Sequence, residues 1–332
     1  MATLKDVAKL SNTSIATVSN VITGKKFVNP DTKAKILKSM EELSYQPNFA
    51  ARALKSNKSY SIGVILPDIT NPFFGEILKA IQAIVNKSDY QLIVVDTDQS
   101  SKQELKALTK FISTKQVDGI IMIAPRLEEE LFPANITIPL IIVDRPEFKT
   151  RSSFSFVYTD NLRSSAMIAQ YAFNAGYKTF ACISGPINVP NANIRLEGYV
   201  NTLEKCGIKN EEIQVVRTEF TFEHGFEAMT QILSTRNIQD RLAVFVTSDI
   251  TAWGAIEAVK TMGKTIKEQV GIVGYDDIFF SKFLQPALTT FKTPTDKIGK
   301  VVGTMILDQL KENNKQATTI VIEGQLKIRS SI

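Results

Sequence analysis

From residue 61 onward the chain alternates between two patterns. Short, unbroken apolar runs are separated by stretches in which apolar residues recur every three or four positions. SIGVIL (61–66), QLIVVD (91–96), DGIIMI (118–123), PLIIVD (139–144) and SFVYTD (155–160) are runs of the first kind. Ile77, Ala80, Ile81 and Ile84, between the first two runs, form a helical stripe. The order then repeats, with TFACIS (179–184), IQVVR (213–217), AVFVTS (243–248) and VGIVGYD (270–276) separated by helical patterns. Val and Ile runs without polar alternation indicate strands buried on both faces, hence parallel sheets covered by helices. Two such series predict an α/β fold with two doubly wound parallel-sheet lobes. Ligands of such sheets bind beyond the carboxyl ends of the strands, so the expected site is the cleft between the lobes.

The first 60 residues follow a different rule. Thr3 suits the N-cap of LKDVAKLS, and Asp6 three residues later makes a near capping box. Leu4, Val7, Ala8 and Leu10 are expected to give one apolar face. Asn12-Thr13 breaks the helix, and Ser14 can cap a second one, IATVSNVIT, with Val18, Val21 and Ile22 inward and Gly24 at its end. A third helix follows Asn29-Pro30, with Asp31 as candidate cap and Ala34, Ile36, Leu37, Met40 and Leu43 as its apolar set. Helix, tight turn, helix and third helix is helix-turn-helix organisation, whose second helix enters the major groove of DNA. Its outward residues are Ile15, Ala16, Thr17, Ser19 and Asn20. Small residues let a helix sit deep, and Ser, Thr and Asn hydrogen-bond phosphates or base edges. A small helical bundle without a partner is the alternative that pattern alone leaves open.

Charge favours the DNA reading. Residues 1–60 carry nine Lys and one Arg against two Asp and two Glu, whereas the remainder has 29 basic and 30 acidic residues. The whole positive excess therefore lies at one end, as a polyanion partner would require. The two cysteines, Cys182 and Cys206, have neither metal-ligand spacing nor a disulfide framework. No cofactor or metal is expected. The first residues lack an apolar signal core, and no stretch of 18 apolar residues exists, so a cytoplasmic protein without membrane association is expected.

The stretch TLKDVAKLSNTSIATVSNVITG, followed by NPDTKAKILKSMEELSYQPNFAARALKSNKSYSIGVILPDITNPFF, resembles the amino-terminal region of the LacI/GalR transcription regulators. The resemblance continues in order through VDGIIM, VDRP, YTDN, RLEGY, TSDITAWGAIEAV, VGYDD and LTTFKTP, covering essentially the whole chain. It implies a homodimer, or dimer of dimers, that binds a pseudo-palindromic double-stranded DNA operator, most simply as a repressor. It implies that a small molecule between two periplasmic-binding-protein-like lobes changes operator affinity. The implied domains are residues 1–46 for DNA binding, 47–60 as a hinge segment, and 61–332 for effector binding and dimerisation. Lobe 1 would span about 61–160 and 293–320, and lobe 2 about 161–292 and 321–332.

By resemblance, Ile15, Ala16 and Asn20 fall on base-reading positions, and Ser14, Thr17 and Ser19 on phosphate-binding ones. Many members have Arg where this chain has Asn20; Arg reads guanine, whereas Asn suits adenine. The segment Asn48–Leu54 matches the family's hinge, with Leu54 the minor-groove wedge beside Arg52 and Lys55. Thr3 and Ala51 complete the candidate DNA contacts. A plain linker whose Leu54 packs on the body is the alternative.

For the cleft, DITNPFF (68–74) follows the first strand, with a turn at Asn71-Pro72 and two aromatic rings behind it. Asp144 and Arg145 end the fourth run, and an acid–base pair there can bind vicinal hydroxyls. By resemblance, Asn71, Asp144, Arg195 and Asp276 match effector-binding positions, and Phe74 and Phe220 stacking ones. Phe73, Arg145 and Asn193 complete the candidates, together with Ser248 and Thr293, which stand where many members have Asn and Gln. Both shorten a polar arm. A sugar, sugar acid or sugar phosphate would each suit such a set. His224, the only histidine, has no Ser or Cys partner motif and is expected on a helix surface. A transport solute-binding protein fits the two lobes alone, but not the basic helical module. An enzyme such as a sugar kinase lacks a phosphate loop. A global regulator answering to a protein co-regulator is the remaining variant.

Overall fold

The computed structural model describes residues 2–23, 26–46, 58–146, 148, 154–235, 240–312 and 316–332. They form two compact units, Met1–Ser59 and Tyr60–Ile332.

The first unit holds α1 (Leu4–Leu10), α2 (Ile15–Thr23) and α3 (Pro30–Glu42). The Thr3 hydroxyl accepts the Asp6 N–H at 3.3 Å while the Asp6 carboxylate accepts the Thr3 N–H at 2.8 Å, so the capping box is complete. The turn into α2 passes through Asn12 at φ 52, a left-handed conformation that Asn tolerates. Val7, Ala8, Val18, Ile36 and Tyr45 make the core. Three expectations about this unit need correction. Asn29 caps α3, its side chain accepting the Asp31 N–H at 2.9 Å, while Asp31 is merely in the first turn. Leu10 and Leu37 are about half exposed, and Ala34 also faces outward. The reason is angular: at about 100° per residue, Ile36, Ser39, Met40 and Leu43 share one face of α3, and Leu37 lies about a quarter turn away.

The second unit contains two six-stranded sheets. The first comprises β1 (Ser61–Leu66), β2 (Gln91–Asp96), β3 (Gly119–Ile123), β4 (Leu140–Val143), β5 (Ser155–Tyr158) and β11 (Thr319–Val321), in the order β2-β1-β3-β4-β5-β11. The second comprises β6 (Thr179–Ser184), β7 (Gln214–Arg217), β8 (Leu242–Val246), β9 (Val270–Asp276), β10 (Thr289–Lys292) and β12 (Gln325–Lys327), in the order β7-β6-β8-β9-β10-β12. The two orders are the same. Every pairing is parallel except β10–β12. The chain passes between the sheets three times, after β5, after β10 and after β11.

Each sheet is covered on both faces. On the first, α4 (Pro72–Val85) and α10 (Thr295–Glu312) cover one side and α5 (Ser101–Thr114) the other. On the second, α8 (Phe222–Thr235) and α9 (Asp249–Thr261) lie opposite α6 (Asn161–Asn174) and α7 (Pro190–Lys205). The central strands are buried throughout, whereas β2 and β7 are edges that leave Val94 and Val215 partly exposed. Burial on both faces therefore fails for those two runs. Strands β10, β11 and β12 carry no long apolar run, so the sequence pattern does not predict them; each joins its sheet by a short ladder and adds one side chain to the core, Phe291, Ile320 and Leu326. Cys182 is buried in β6, and His224 is exposed on α8, where its ring bonds the Thr221 hydroxyl at 2.8 Å.

Helices α8 and α9 touch backbone to backbone. A Cβ on Gly254 would lie 1.9 Å from the Phe222 carbonyl oxygen, and one on Gly225 2.0 Å from that of Thr251. Both neighbours are main chain and cannot yield cheaply. Gly254→Ala is expected to destabilise this unit by roughly 1–3 kcal/mol or more through overpacking. Urea unfolding followed by the fluorescence of Trp253, the only tryptophan, measures it.

Candidate functional site

In the first unit, α2 presents Ser14, Ile15 and Ala16 fully outward, and Thr17, Ser19 and Asn20 in part, while Val18 faces in. The Ser14 hydroxyl accepts the Thr17 N–H at 3.0 Å and lies 2.8 Å from the Thr17 hydroxyl. The outer face is thus small, polar and rigidly started. Thr3, as the cap of α1, has its hydroxyl on Asp6 at 2.7 Å. Asn48, Ala51, Arg52, Leu54 and Lys55 lie outside the described residues.

In the second unit the carboxyl ends of both sheets meet around one small cavity. It is lined by Asn71, Phe73, Phe74, Asp144, Arg195, Phe220, Ser248 and Asp276, all candidates from sequence. Ala124, Val189 and Asn191 join them, and sequence reasoning missed all three. The cavity measures about 50 Å³, so the lobes are drawn together. The backbone is strained where the strands deliver these groups: Ala124 (φ 45) after β3, Asp144 (φ 52) after β4, and Asp276 (φ 113) ending β9. Non-glycine residues in this region cost free energy and cluster at functional sites.

Arg195 on α7 organises the cavity. Its guanidinium lies over the Tyr275 ring at 3.7 Å. Its Nε donates to Asn161 Oδ1 at 2.7 Å, and Nη1 to the Thr247 carbonyl at 2.8 Å. Asp144 and Asp276 sit 3.9 and 3.8 Å from it, as ion pairs rather than tight hydrogen bonds. Asn71 caps α4 by accepting the Phe73 N–H at 3.1 Å. Phe73 is buried in the first lobe's core and meets Phe74 edge-on at 5.2 Å. Besides the Arg195–Asp144 pair, two further contacts cross between lobes among the described residues: Asn191 Nδ2 donates to the Asp144 carbonyl at 2.5 Å, and Arg126 pairs with Glu219 at 3.1 Å. Arg126 is held on its own lobe by Gln99.

Four buried oxygens around the cavity have no hydrogen-bond partner among the described residues: Asp144 Oδ1, Asn191 Oδ1, Ser248 Oγ and Asp276 Oδ1. Such groups are costly unless something satisfies them. Burial pushes the Asp144 carboxyl up to about 6, against the opposing pull of Arg195. It raises Asp276 well above the carboxylate range, Arg195 offsetting only part and Asp249 and Asp144 adding to it. Asp249, at the start of α9, is pushed up to about 7 by burial although Ser281, Thr290 and the Ile278 N–H all donate to it.

Three sequence candidates do not reach the cavity. Arg145 turns back, donating to the carbonyls of Pro125 at 2.9 Å and Leu127 at 2.5 Å, with Phe148 beneath its guanidinium. Adjacent residues at a strand end point to opposite sides, so it cannot join Asp144. Asn193 is one residue from the inward face of α7 and bonds the Ile187 carbonyl and Arg217. Thr293, buried, lines a different cavity.

Residues 3–48 match the family described as bacterial regulatory proteins, lacI family, and residues 169–332 match the periplasmic binding protein-like domain. The chain is 34% identical over 334 residues to the HTH-type transcriptional repressor CytR of Escherichia coli strain K12, an alignment covering 99% of this chain and 96% of that protein. This chain belongs to the lacI family. It is 32% identical over 336 residues to the HTH-type transcriptional repressor PurR of Proteus mirabilis, covering 100% of this chain and 97% of PurR. A crystal structure of the lac repressor dimer bound to operator and the anti-inducer ONPF shares the fold, with a TM-score of 0.87, 22% identity, and coverage of 99% and 98%. The lacI-family chain is accordingly a DNA-binding transcription regulator rather than an enzyme. Among the described residues no helix is long and apolar enough to cross a membrane.

The raised carboxyl values set a pH dependence. Asp144 and Asp249 have native values near 6 and 7, above the 3.8 of an unfolded aspartate, so the folded chain holds more protons in between. Stability from these groups is greatest at low pH and falls as pH rises from about 4 to about 7. Denaturation midpoints read by Trp253 are expected to drop from pH 5 to pH 7, and Asp249→Asn to flatten that drop.

Proposed function

We propose that this lacI-family regulator is an operator-binding repressor whose affinity is set by a neutral, hydroxyl-rich, sugar-like effector in the cleft. The single observation carrying the effector class is the set of four unpartnered buried oxygens. Three of them, on Asp144, Asn191 and Asp276, belong to residues that line one cavity whose other walls include Phe74 and Phe220. A ligand rich in hydroxyl donors satisfies them, and a ring's apolar face packs on the aromatics. Arg195 already donates from Nε and Nη1, and its Nη2 faces Asp144 at 3.9 Å. Two acids and no free cation disfavour a sugar acid or sugar phosphate here. Relatives of the same fold support the class: one structure is a CelR–cellobiose complex, with a TM-score of 0.74 over the whole chain.

For DNA, the outward face of α2 supports Ile15, Ala16 and Asn20 as base readers, with Ser14, Thr17 and Ser19 on phosphates. Thr3 and the segment with Asn48, Ala51, Arg52, Leu54 and Lys55 belong to the same proposal. A homodimer suits the second unit, where Phe279, Phe280 and Phe283 are 55%, 43% and 60% exposed beside Trp253. Apolar patches of this kind mark protein contacts. Acting on DNA, such a regulator works in the cytoplasm.

Two experiments test the reading. Asn20→Ala is expected to weaken specific operator binding by roughly 1–3 kcal/mol and relax preference at one base pair; an unchanged preference would remove it from base reading. Asp144→Ala is expected to bind operator normally without effector, yet to lose about ten- to a hundredfold in effector affinity, as one charge-assisted hydrogen bond implies. Operator titrations with and without the sugar found by thermal-shift screening measure this. A full response in the mutant would exclude Asp144 from the site.

A further inference from the structure

Thr293 opens onto a second cavity, of about 410 Å³, that shares no lining residue with the cleft. Its walls come from four places: α4 (Glu76), the α10 N-terminus (Thr293, Thr295), the loop after β9 (Asp277 to Lys282), and strands β10 and β12 with the residues after them (Lys292, Lys327, Arg329). Four cations therefore line it, against the carboxylates of Asp277 and Glu76. The carboxylates are already engaged. Arg329 bonds Asp277 at 2.5 Å and Lys292 approaches its other oxygen at 3.9 Å, while Glu76 accepts the Thr295 hydroxyl at 2.9 Å. Lys282 rests over the rings of Phe279 and Phe283 at 4.9 Å, with no carboxylate in reach among the described residues. Lys327, half-buried in β12, likewise pairs with no carboxylate among the described residues.

Two further features point at the same space. Helix α10 is 18 residues long, and its N-terminus carries the positive end of the helix dipole. The Thr293 hydroxyl, on a residue 1% exposed, has no hydrogen-bond partner. A buried hydroxyl left unsatisfied beside uncompensated cations at a helix start is the chemistry of an anion site.

We propose that this cavity binds the phosphate group of a small metabolite. Lys327 and Lys282 supply charge, the Thr293 hydroxyl donates a hydrogen bond, and the start of α10 completes the cradle. The site complements the cleft, whose two acids reject an anion. It is also lined by Phe279, whose ring meets Phe280 edge-on at 5.5 Å, and Phe280 stacks on Trp253 with ring planes 29° apart. An occupant would thus be felt by the chain's only tryptophan.

That tryptophan provides the test. The full-length protein is titrated with inorganic phosphate at constant ionic strength, chloride being the control, and Trp253 emission is recorded at two protein concentrations tenfold apart. The expected result is a saturable change with phosphate alone, with the same midpoint at both concentrations. Lys327→Gln and Thr293→Val are each expected to raise that midpoint about tenfold or more. Lys282→Gln, at an exposed position, serves as a third variant should either of the others fail to fold. A response equal with chloride, or equal in wild type and variants, would overturn the proposal; the latter would place phosphate on another part of the chain, such as the basic first unit.

Discussion

Arg195 is the group on which the effector domain's geometry depends. It is fully buried, which is costly for a guanidinium unless every donor is met. Tyr275 provides a ring beneath it, Asn161 and Thr247 take its hydrogen bonds, and Asp144 and Asp276 balance its charge from opposite sides. Those partners come from β9, α6, the end of β8 and the end of β4. One side chain thereby ties three elements of its own lobe to a carboxylate on the other. The ion pairs at nearly 4 Å are loose, and this is the useful part. In the proposed reading, a ligand inserts its hydroxyls between Arg195 and either acid while the tight bonds to Asn161 and Thr247 stay in place.

The loose pairs also explain why the cavity is both charged and small. Burial, only partly offset by Arg195, makes both acids hold their protons unusually firmly. Closing the lobes brings Asn191 onto the Asp144 backbone and Arg126 onto Glu219, but it leaves four oxygens unsatisfied. Closure without a ligand is therefore poorly rewarded. A ligand shifts such an equilibrium only through its differential affinity for the closed form, and in the proposed reading those four oxygens supply that difference.

Much of this was legible in the chain. Apolar runs that end in Asp, such as PLIIVD and VGIVGYD, announce a carboxylate at a strand's carboxyl end, and Asp144 and Asp276 stand there. Thr3 with Asp6, and Ser14, gave the helix starts of the DNA-binding unit by their chemistry alone. Other features were illegible for physical reasons. Tyr275 and Asn161, which hold Arg195, sit within buried elements and read as ordinary core. Asn191 stands in the first turn of α7, whose Pro- and Asn-rich sequence reads as a loop, so the direction of its side chain was not legible. Arg145 misled because adjacency in sequence is opposition at the end of a strand. Strands β10 to β12 lack apolar runs, so only the sheet they join reveals them.

The three passages of chain between the sheets have a mechanical consequence. A single covalent link would let two bodies swivel, slide and twist. Three links, side by side along one edge, leave one soft rotation, like a door on three pins. Whatever a small molecule does in the cleft can then emerge from the lobes only as a change in one angle. The chain thus reduces chemical detail at the cavity to a single mechanical coordinate.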